Sequence, residues 1–151
     1  MYDLNKIRIS LGCDHAGFDL KESFKSTKLA ENISILDLGC FSSDSIDYPD
    51  VSKYVVNDLL MQNSDFGVLI CNSGIGMSIA ANRYNKIRAA LCNDITDVEF
   101  ARKHNDANIL VIAAKNTQLS KFEQYLQKFI DTKFEGGRHL RRIKKLDIKN
   151  F

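Results

Sequence analysis

The chain has 151 residues, of which 44% are hydrophobic and 26% charged, and its formal net charge is +2, as in ordinary globular proteins. This length fits a single domain with a sizeable core, and no apolar run approaches the roughly 20 residues of a membrane-spanning helix. Residues 1–6 lack the basic start and apolar block of a secretory signal, so we expect a cytoplasmic protein without a membrane partner.

Positive charge is concentrated at the C-terminus. Residues 131–151 carry seven Lys or Arg and three Asp or Glu, whereas residues 1–130 carry fourteen and sixteen. A basic tail can bind nucleic acid or a phosphorylated ligand, or simply form a solvated helix surface. The tail has few aromatic side chains for base stacking, and the rest of the chain is slightly acidic, so we expect no nucleic-acid partner. We interpret residues 131–151 as the basic helical tail of a single domain spanning residues 1–151.

Apolar runs alternate with amphipathic stretches along the whole chain. Runs rich in β-branched residues predict five strands, at residues 7–13, 33–38, 65–71, 87–92 and 108–113. Helical spacing of apolar residues predicts helices at residues 17–30, from Pro49 onward, around 77–80, at 94–104 and at 119–130. Strands that alternate with helices imply a parallel sheet covered on both faces. We therefore predict a doubly wound, Rossmann-like α/β fold with five parallel strands in the order 2-1-3-4-5.

The stretch from Val68 to Met77 is the most informative part of the chain. It predicts a buried strand that ends in the thiol of Cys71 and turns through Gly74 and Gly76 into a helix. Such a turn places the sulfur beside backbone N–H groups that can hold an anion. A base next to an anion site suits proton abstraction beside a carbonyl group. The alternative is an inert buried cysteine, because thiols often serve only as small hydrophobic groups.

Other polar and reactive residues also follow predicted strands. Residues 14–17 (DHAG) follow the first strand and residues 72–76 the third, and open parallel sheets bind ligands at this edge. The cysteines have neither C-x-x-C spacing nor the spacing of a zinc site, so we expect reduced thiols and no metal centre. The four cysteines are Cys13, Cys40, Cys71 and Cys92.

Five segments can be matched together, in order and spacing, to one known family. They are residues 12–17 (GCDHAG), 47–49 (DYP), 71–78 (CNSGIGMS), 104–108 (HNDAN) and 135–139 (EGGRH), with Arg142 just beyond. Together they resemble ribose-5-phosphate isomerase type B, a family that includes galactose-6-phosphate isomerase subunits and allose-6-phosphate isomerases. The resemblance implies a doubly wound fold, a homodimer with a dimer of dimers left open, no metal or other cofactor, and aldose–ketose isomerisation of a sugar phosphate.

The same resemblance implies a role for each matched position. Cys71 would move the proton between C1 and C2 of the sugar, Ser73 would assist in the same loop, and His104 would open the sugar ring. Arg138 and Arg142 would hold the phosphate group, with His139 nearby. The remaining implied substrate contacts are Asp14, His15, Tyr48, Asn72, Gly74, Ile75, Gly76, Asn105 and Lys115.

The chain departs from the family pattern in the loop after Cys71 and at Lys115. Ser73 stands where many members have threonine and keeps the hydroxyl. Asn72 stands where many members have glycine and adds a side chain beside the sugar. Lys115 stands where an arginine is expected, and lysine keeps the charge but not the bidentate fork. Members that use a carboxylate base place it a few residues further along the loop. Residues 76–78 (GMS) contain no carboxylate, which favours the thiol as the base.

His104 precedes the fifth predicted strand, so we expect it at the edge of the sheet opposite Cys71. A strand of five or six residues spans about 17–20 Å, more than one small sugar phosphate bridges. The two side chains would then meet only across a subunit interface, so we expect a homodimer with shared sites. Simpler roles remain open for these residues. Asp14 and His104 could cap the ends of helices, and Arg138 and Arg142 could belong to a solvated basic helix face.

The leading functional hypothesis is interconversion of D-ribose 5-phosphate and D-ribulose 5-phosphate through an enediolate, a step of the pentose phosphate pathway. The nearest alternative is isomerisation of a six-carbon sugar phosphate, such as allose 6-phosphate or galactose 6-phosphate. A non-catalytic module that binds phosphosugars or nucleotides on a flavodoxin-like scaffold is also open, because fold does not fix function. A thiol redox protein is disfavoured because no second cysteine lies near Cys71 in the sequence.

Overall fold

The computed structural model describes residues 7–147 as a five-stranded parallel sheet with helices packed on both faces. The strands are β1 (Arg8–Cys13), β2 (Ser34–Asp37), β3 (Phe66–Cys71), β4 (Ala89–Leu91) and β5 (Ile109–Ala113). The helices are α1 (Phe18–Lys25), α2 (Lys28–Glu31), α3 (Tyr48–Leu60), α4 (Ile75–Ala81), α5 (Ile95–Asn105), α6 (Leu119–Asp131) and α7 (Arg138–Ile143). Residues 1–6, on which the expectation about a secretory signal rests, and residues 148–151 of the basic tail lie outside the described residues.

The order of the strands is β2-β1-β3-β5-β4, so the predicted positions of the last two strands are wrong. β5 pairs along β3, with Ala113 opposite Cys71, and β4 pairs with the outer side of β5. The physical reason is burial. β5 is buried at all five residues and suits the interior of the sheet, whereas β4 has three residues, two of them only partly buried, and suits an edge.

Each face of the sheet carries its own hydrophobic core. On one face Val68 belongs to a cluster with Phe24 of α1 and Phe122 of α6, whose ring centroids lie 4.6 Å apart. On the other face Leu69 belongs to a cluster with Met77 of α4. Neighbouring residues of β3 thus face opposite sides, and both sides are covered, as the sequence predicts.

Local sequence signals set the helix boundaries. The predicted helix over residues 17–30 is in fact two helices, because Thr27 interrupts it and its Oγ1 accepts the N–H of Ala30 to begin α2. Asp94 begins α5 by accepting two N–H groups of the first turn. Asp106 ends α5 with φ +45°, a conformation that Asp tolerates better than most residues.

The remaining helices follow the prediction closely. Pro49 lies in the first turn of α3, where its missing N–H needs no partner. The basic tail contains α7, which carries Arg138 and Arg142. Within residues 7–147, no helix combines the length and the apolar character needed to cross a membrane.

A buried cation supports the carboxyl edge of the sheet. The side chain of Lys21 is fully buried, and its Nζ donates to both carboxylate oxygens of Asp37, at 2.7 and 2.6 Å. Burial opposes ionisation of Asp37, but hydrogen bonds from Lys21, Lys25 and the Gly39 N–H outweigh it and lower the pKa of this carboxyl. Asp37 is the last residue of β2, so the ion pair fixes the end of that strand.

A second buried cation lies at the amino edge. Arg102 of α5 donates from Nη1 to Asp106 Oδ1 at 2.8 Å and to the carbonyl oxygen of Ala107 at 2.7 Å. Its guanidinium also lies 5.0 Å from the centre of the Phe66 ring. These contacts hold the end of α5 against the start of β5.

Candidate active site

Cys71 is the last residue of β3 and lies at the carboxyl edge of the sheet, with only 4% of its surface exposed. Its Sγ accepts a hydrogen bond from the N–H of Gly74 at 3.1 Å. A donor aimed at the sulfur stabilises negative charge there, which is what a thiolate base needs. Gly74 has φ +75°, and a Cβ at this position would lie 2.3 Å from Leu91 Cδ1. The turn that brings this donor to the sulfur therefore requires glycine.

The loop after Cys71 offers a hydroxyl and further N–H groups. Ser73 Oγ accepts the N–H of Ile75 at 3.3 Å, so two of the N–H groups predicted to hold an anion are engaged within the loop itself. The N–H groups of Gly76 and Met77 lie in the first turn of α4, where helical geometry supplies no carbonyl partner. The loop thus retains donors for a developing oxyanion.

Tyr48 and Lys115 both contact this loop. The Tyr48 ring packs on Gly76, where an added Cβ would lie 2.8 Å from Tyr48 Cζ. The backbone N–H of Lys115 donates to the carbonyl oxygen of Asn72 at 3.1 Å. Lys115 lies two residues beyond the strand partner of Cys71. The observed strand order therefore places Lys115 beside the loop that follows Cys71, whereas the predicted order would have placed it two strands away.

The end of β1 adjoins the end of β3. The Asp14 N–H donates to the carbonyl oxygen of Ile70 at 3.0 Å. The Asp14 carboxylate accepts the N–H of Gly17 at 3.1 Å, which is the capping role that the sequence left open. His15 is exposed, and its Nδ1 accepts the N–H of Ile46 at 3.4 Å. Both side chains therefore lie at the same edge as Cys71.

His104 lies in the last turn of α5, at the opposite edge of the sheet. Its ring stacks between Phe100, with centroids 4.8 Å apart, and His139, with centroids 4.3 Å apart and planes 9° from parallel. Glu135 Oε2 lies 4.0 Å from His104 Nε2 and 3.8 Å from His139 Nε2. Asn105 follows His104 and is exposed.

Positive charge surrounds these imidazoles. Arg138 and Arg142 lie four residues apart on α7, and both are exposed. Burial lowers the pKa of His139, and the charges of His104, Arg138 and Arg142 lower it further, whereas Glu135 opposes the change. His139 is therefore neutral at physiological pH, and the two arginines supply a field suited to a phosphate dianion.

The predicted site residues fall into two clusters. The five residues of β5 separate the two edges of the sheet by about 17 Å, at roughly 3.3 Å per residue. The carboxyl-edge cluster contains Asp14, His15, Tyr48, Cys71, Asn72, Ser73, Gly74, Ile75, Gly76 and Lys115. The amino-edge cluster contains His104, Asn105, Arg138, His139 and Arg142. One chain does not bring the thiol and His104 together.

Residues 9–146 match the family described as Ribose/Galactose Isomerase. The chain belongs to this family. It is similar to a putative sugar phosphate isomerase of Rickettsia bellii, with 44% identity over 139 residues, 92% of this chain and 96% of the relative. It is 34% identical over 136 residues to ribose-5-phosphate isomerase B of Escherichia coli, covering 90% of this chain and 91% of the relative.

Solved structures agree with this assignment. The crystal structure of a ribose 5-phosphate isomerase from Thermotoga maritima has a TM-score of 0.91 and 46% identity, and the match covers 94% of this chain and 98% of that one. A ribose 5-phosphate isomerase B from Anaplasma phagocytophilum has a TM-score of 0.87 and 41% identity, covering 97% and 99%. Matches of this extent include both clusters of the isomerase fold.

Two residues that the sequence does not predict as site residues, Phe100 and Glu135, contact the amino-edge cluster. Phe100 precedes His104 by four residues, so the helical spacing of α5 contained a signal for their contact. Glu135 belongs to the family-like segment at residues 135–139, but its position beside the Nε2 atoms of two stacked imidazoles depends on how α7 folds back onto α5. That tertiary contact leaves no periodic pattern in the sequence.

Proposed function

We propose that this chain is an aldose–ketose isomerase that interconverts D-ribose 5-phosphate and D-ribulose 5-phosphate through an enediolate intermediate. The observation that carries the proposal is the thiol of Cys71, held at a strand end by the Gly74 N–H. A protein that only binds a sugar phosphate does not need a base in this position. The relatives named as ribose-5-phosphate isomerases match at least 90% of this chain, which supports the choice of substrate.

The proton transfer follows from the loop geometry. The Cys71 thiolate removes the C2 proton of the open-chain aldose, the C–H electron pair forms the C1–C2 double bond, and the carbonyl pair moves onto O1. The 2-hydroxyl gives up its proton as O1 gains one, and the thiol returns its own proton to C1, so that C2 becomes the carbonyl carbon and C1 carries the hydroxyl group. The Ser73 hydroxyl and the free N–H groups at the start of α4 stabilise the enediolate oxygens.

The amino-edge cluster completes the substrate site in this proposal. His104 donates a proton to the ring oxygen while the anomeric hydroxyl gives up its proton to solvent, and the furanose opens to the aldehyde. Arg138 and Arg142 bind the phosphate through charge-assisted hydrogen bonds. Asn105 contacts the sugar beside His104. Contacts at the carboxyl edge come from Asp14, His15, Tyr48, Asn72, Gly74, Ile75, Gly76 and Lys115.

The two clusters require a second chain. We propose a homodimer in which Cys71 of one chain faces His104 of the partner subunit. An apolar surface beside the Cys71 loop supports this arrangement: Ile75 and Ile79 lie four residues apart on α4 and are 56% and 52% exposed. Large exposed apolar side chains grouped on one helix face are typical of protein interfaces. The four cysteines are free and buried, which fits a reducing cytoplasm.

A coupled assay tests the proposed reaction. The purified protein, treated with EDTA and assayed without added metal, should convert ribose 5-phosphate to ribulose 5-phosphate. Allose 6-phosphate and galactose 6-phosphate, assayed in parallel, should be turned over more slowly. Activity on a six-carbon substrate alone would contradict the substrate choice, and activity restored only by a divalent ion would contradict the metal-free mechanism.

A further inference from the structure

The side chains of His104, Glu135 and His139 form a compact group with metal-ligand chemistry. Their ligand atoms all lie within 4.8 Å of one another. Among residues 7–147, this is the one group of three or more His, Cys, Asp or Glu side chains whose ligand atoms lie close enough to hold a metal ion. Glu135 Oε2 is the common neighbour of both imidazole Nε2 atoms, at 4.0 and 3.8 Å. Nothing in the proposed isomerisation uses Glu135.

The surrounding contacts hold these three groups in place. Phe100 covers one face of the His104 ring, and His139 covers the other. The N–H of Glu135 donates to the carbonyl oxygen of Lys103 at 3.0 Å, which fixes the backbone of Glu135 beside the last turn of α5. The Glu135 side chain is 50% exposed, so an ion can reach the group from solvent.

We propose that His104, Glu135 and His139 form a binding site for a zinc-class divalent cation, with the fourth position left to water. Two imidazoles and one carboxylate are a ligand set that zinc accepts. In a tetrahedral zinc site with bonds of about 2.0–2.1 Å, neighbouring ligand atoms lie about 3.3 Å apart. The observed separations exceed this by at most about 1.5 Å, so small rotations of the Glu135 side chain and of the two imidazole rings bring the three atoms to bonding distance of one ion.

The electrostatics of the group are mixed. Burial and nearby positive charge keep His139 neutral, which leaves a lone pair for a metal ion. The same arginines, Arg138 and Arg142, repel a cation, so we expect a site weaker than a structural zinc centre. We also expect phosphate ligands that neutralise the arginines to strengthen zinc binding rather than compete with it.

The consequence for activity rests on the proposed function. If His104 is the acid that opens the sugar ring, an ion on its Nε2 removes that acid, so zinc inhibits an enzyme that needs no metal. Binding itself does not depend on this role. A chelator should therefore leave the activity unchanged or raise it, and should reverse inhibition by added zinc.

Titration of the full-length protein with zinc chloride, followed by calorimetry, tests the site. Glu135→Gln and His139→Ala should each weaken binding by more than the about 10–100-fold that loss of an outer-shell partner costs. Glu31→Gln, which changes an exposed carboxylate on α2, is the matched control and should bind zinc as the wild type does. Cobalt(II) should bind with visible bands that lack sulfur charge-transfer absorption.

The outcomes separate the site from the reaction. Zinc that binds Glu135→Gln as tightly as wild type, or cobalt spectra with sulfur charge transfer, would overturn the site. Zinc that binds as proposed and inhibits wild type, with an inhibition midpoint at least about tenfold higher in Glu135→Gln, would support both parts. Zinc that binds as proposed without inhibiting would support the site and overturn the role of His104.

Discussion

The two edges of the sheet form their halves of the proposed site by different means. At the carboxyl edge the backbone does most of the positioning, since the Gly74 N–H holds the Cys71 sulfur. At the amino edge side chains position one another, through the stack of His104 on His139 and the half-exposed Glu135. A backbone-built site fixes a reacting atom closely, whereas a side-chain stack adapts to a ligand. This difference fits a base at one edge and groups that bind and release a substrate at the other.

The largest expected effect is at the carboxyl edge. Cys71→Ala should lower kcat by about 10²–10⁴-fold, the usual contribution of a general base, while substrate binding measured by calorimetry is retained. Iodoacetamide should label Cys71 before the other cysteines, and substrate should protect it. Cys92→Ala, at a second buried cysteine beyond β4, should keep most of the activity. Near-normal turnover by Cys71→Ala would show that the thiol is not the base.

The ion pairs at the two edges of the sheet should contribute differently to the free energy of unfolding. Asp37→Asn leaves the fully buried Lys21 with only the Glu22 carboxylate, 3.0 Å away, as an anionic partner, so the free energy of unfolding should fall by about 1.5–3 kcal/mol, the value of hydrogen bonds to a charged group. Asp106→Asn should cost less, about 0.5–1.5 kcal/mol, because the Asp106 carboxylate is 34% exposed and its ion pairs with Arg102 and Arg88 are screened by solvent. Both arginines keep hydrogen bonds to backbone carbonyls, and asparagine tolerates the positive φ. Denaturant unfolding measures both. Equal losses would contradict the stated difference between the edges.

The Asp37 pair also predicts a pH dependence. The folded-state pKa of Asp37 lies below its unfolded value, so its contribution is fully present above that unfolded value and is lost as the pH falls further. The wild type should therefore lose stability below about pH 4, where an ordinary Asp begins to take up a proton. Asp37→Asn should show a shallower acid limb. A parallel acid limb in both proteins would argue against the pair as its source.

Alanine substitutions at two glycines, one at each edge, allow a direct comparison of how tightly the backbone conformation is constrained. Gly74 and Gly137 both have positive φ, but an added Cβ collides with Leu91 at Gly74 and meets nothing within 4 Å at Gly137. Gly137→Ala should cost the strain alone, about 1–3 kcal/mol, since φ +55° with ψ −125° is a conformation that residues other than glycine rarely adopt. Gly74→Ala adds overpacking of about 1–3 kcal/mol and moves the donor away from the sulfur, so kcat should fall as well. An unchanged kcat in Gly74→Ala would argue against this turn as the element that holds the donor at the sulfur.

The prediction for catalysis at the amino edge concerns phosphate binding. Arg138→Ala should raise KM by about 10–100-fold with a smaller change in kcat, because one charge-assisted hydrogen bond is worth about 1.5–3 kcal/mol. Arg141→Ala removes the same charge from α7 at another exposed position and is the matched control. A general effect of positive charge would raise KM equally in both variants, which would contradict a specific phosphate contact.

How much the sequence predicts differs between the fold and the site. The apolar runs locate all five strands to within two residues at each end, because burial on both faces leaves a nearly continuous hydrophobic signal. The same runs do not indicate which strands are neighbours in the sheet. For this reason the predicted strand order has β4 and β5 in each other's places. The loop from Cys71 to Gly76 is predictable because local residues define it. The stack of His104 on His139 joins residues 35 positions apart in the sequence, and no local pattern encodes it.

The central claim is that each active site combines the carboxyl edge of one chain with the amino edge of another. Cys71→Ala and His104→Ala, each nearly inactive alone, are unfolded together in equal amounts and refolded. Random pairing makes half of the dimers mixed, and each mixed dimer has one intact site, so activity should recover to about a quarter of wild type. If both residues must belong to the same chain, mixing recovers no activity, and that result would contradict the shared site.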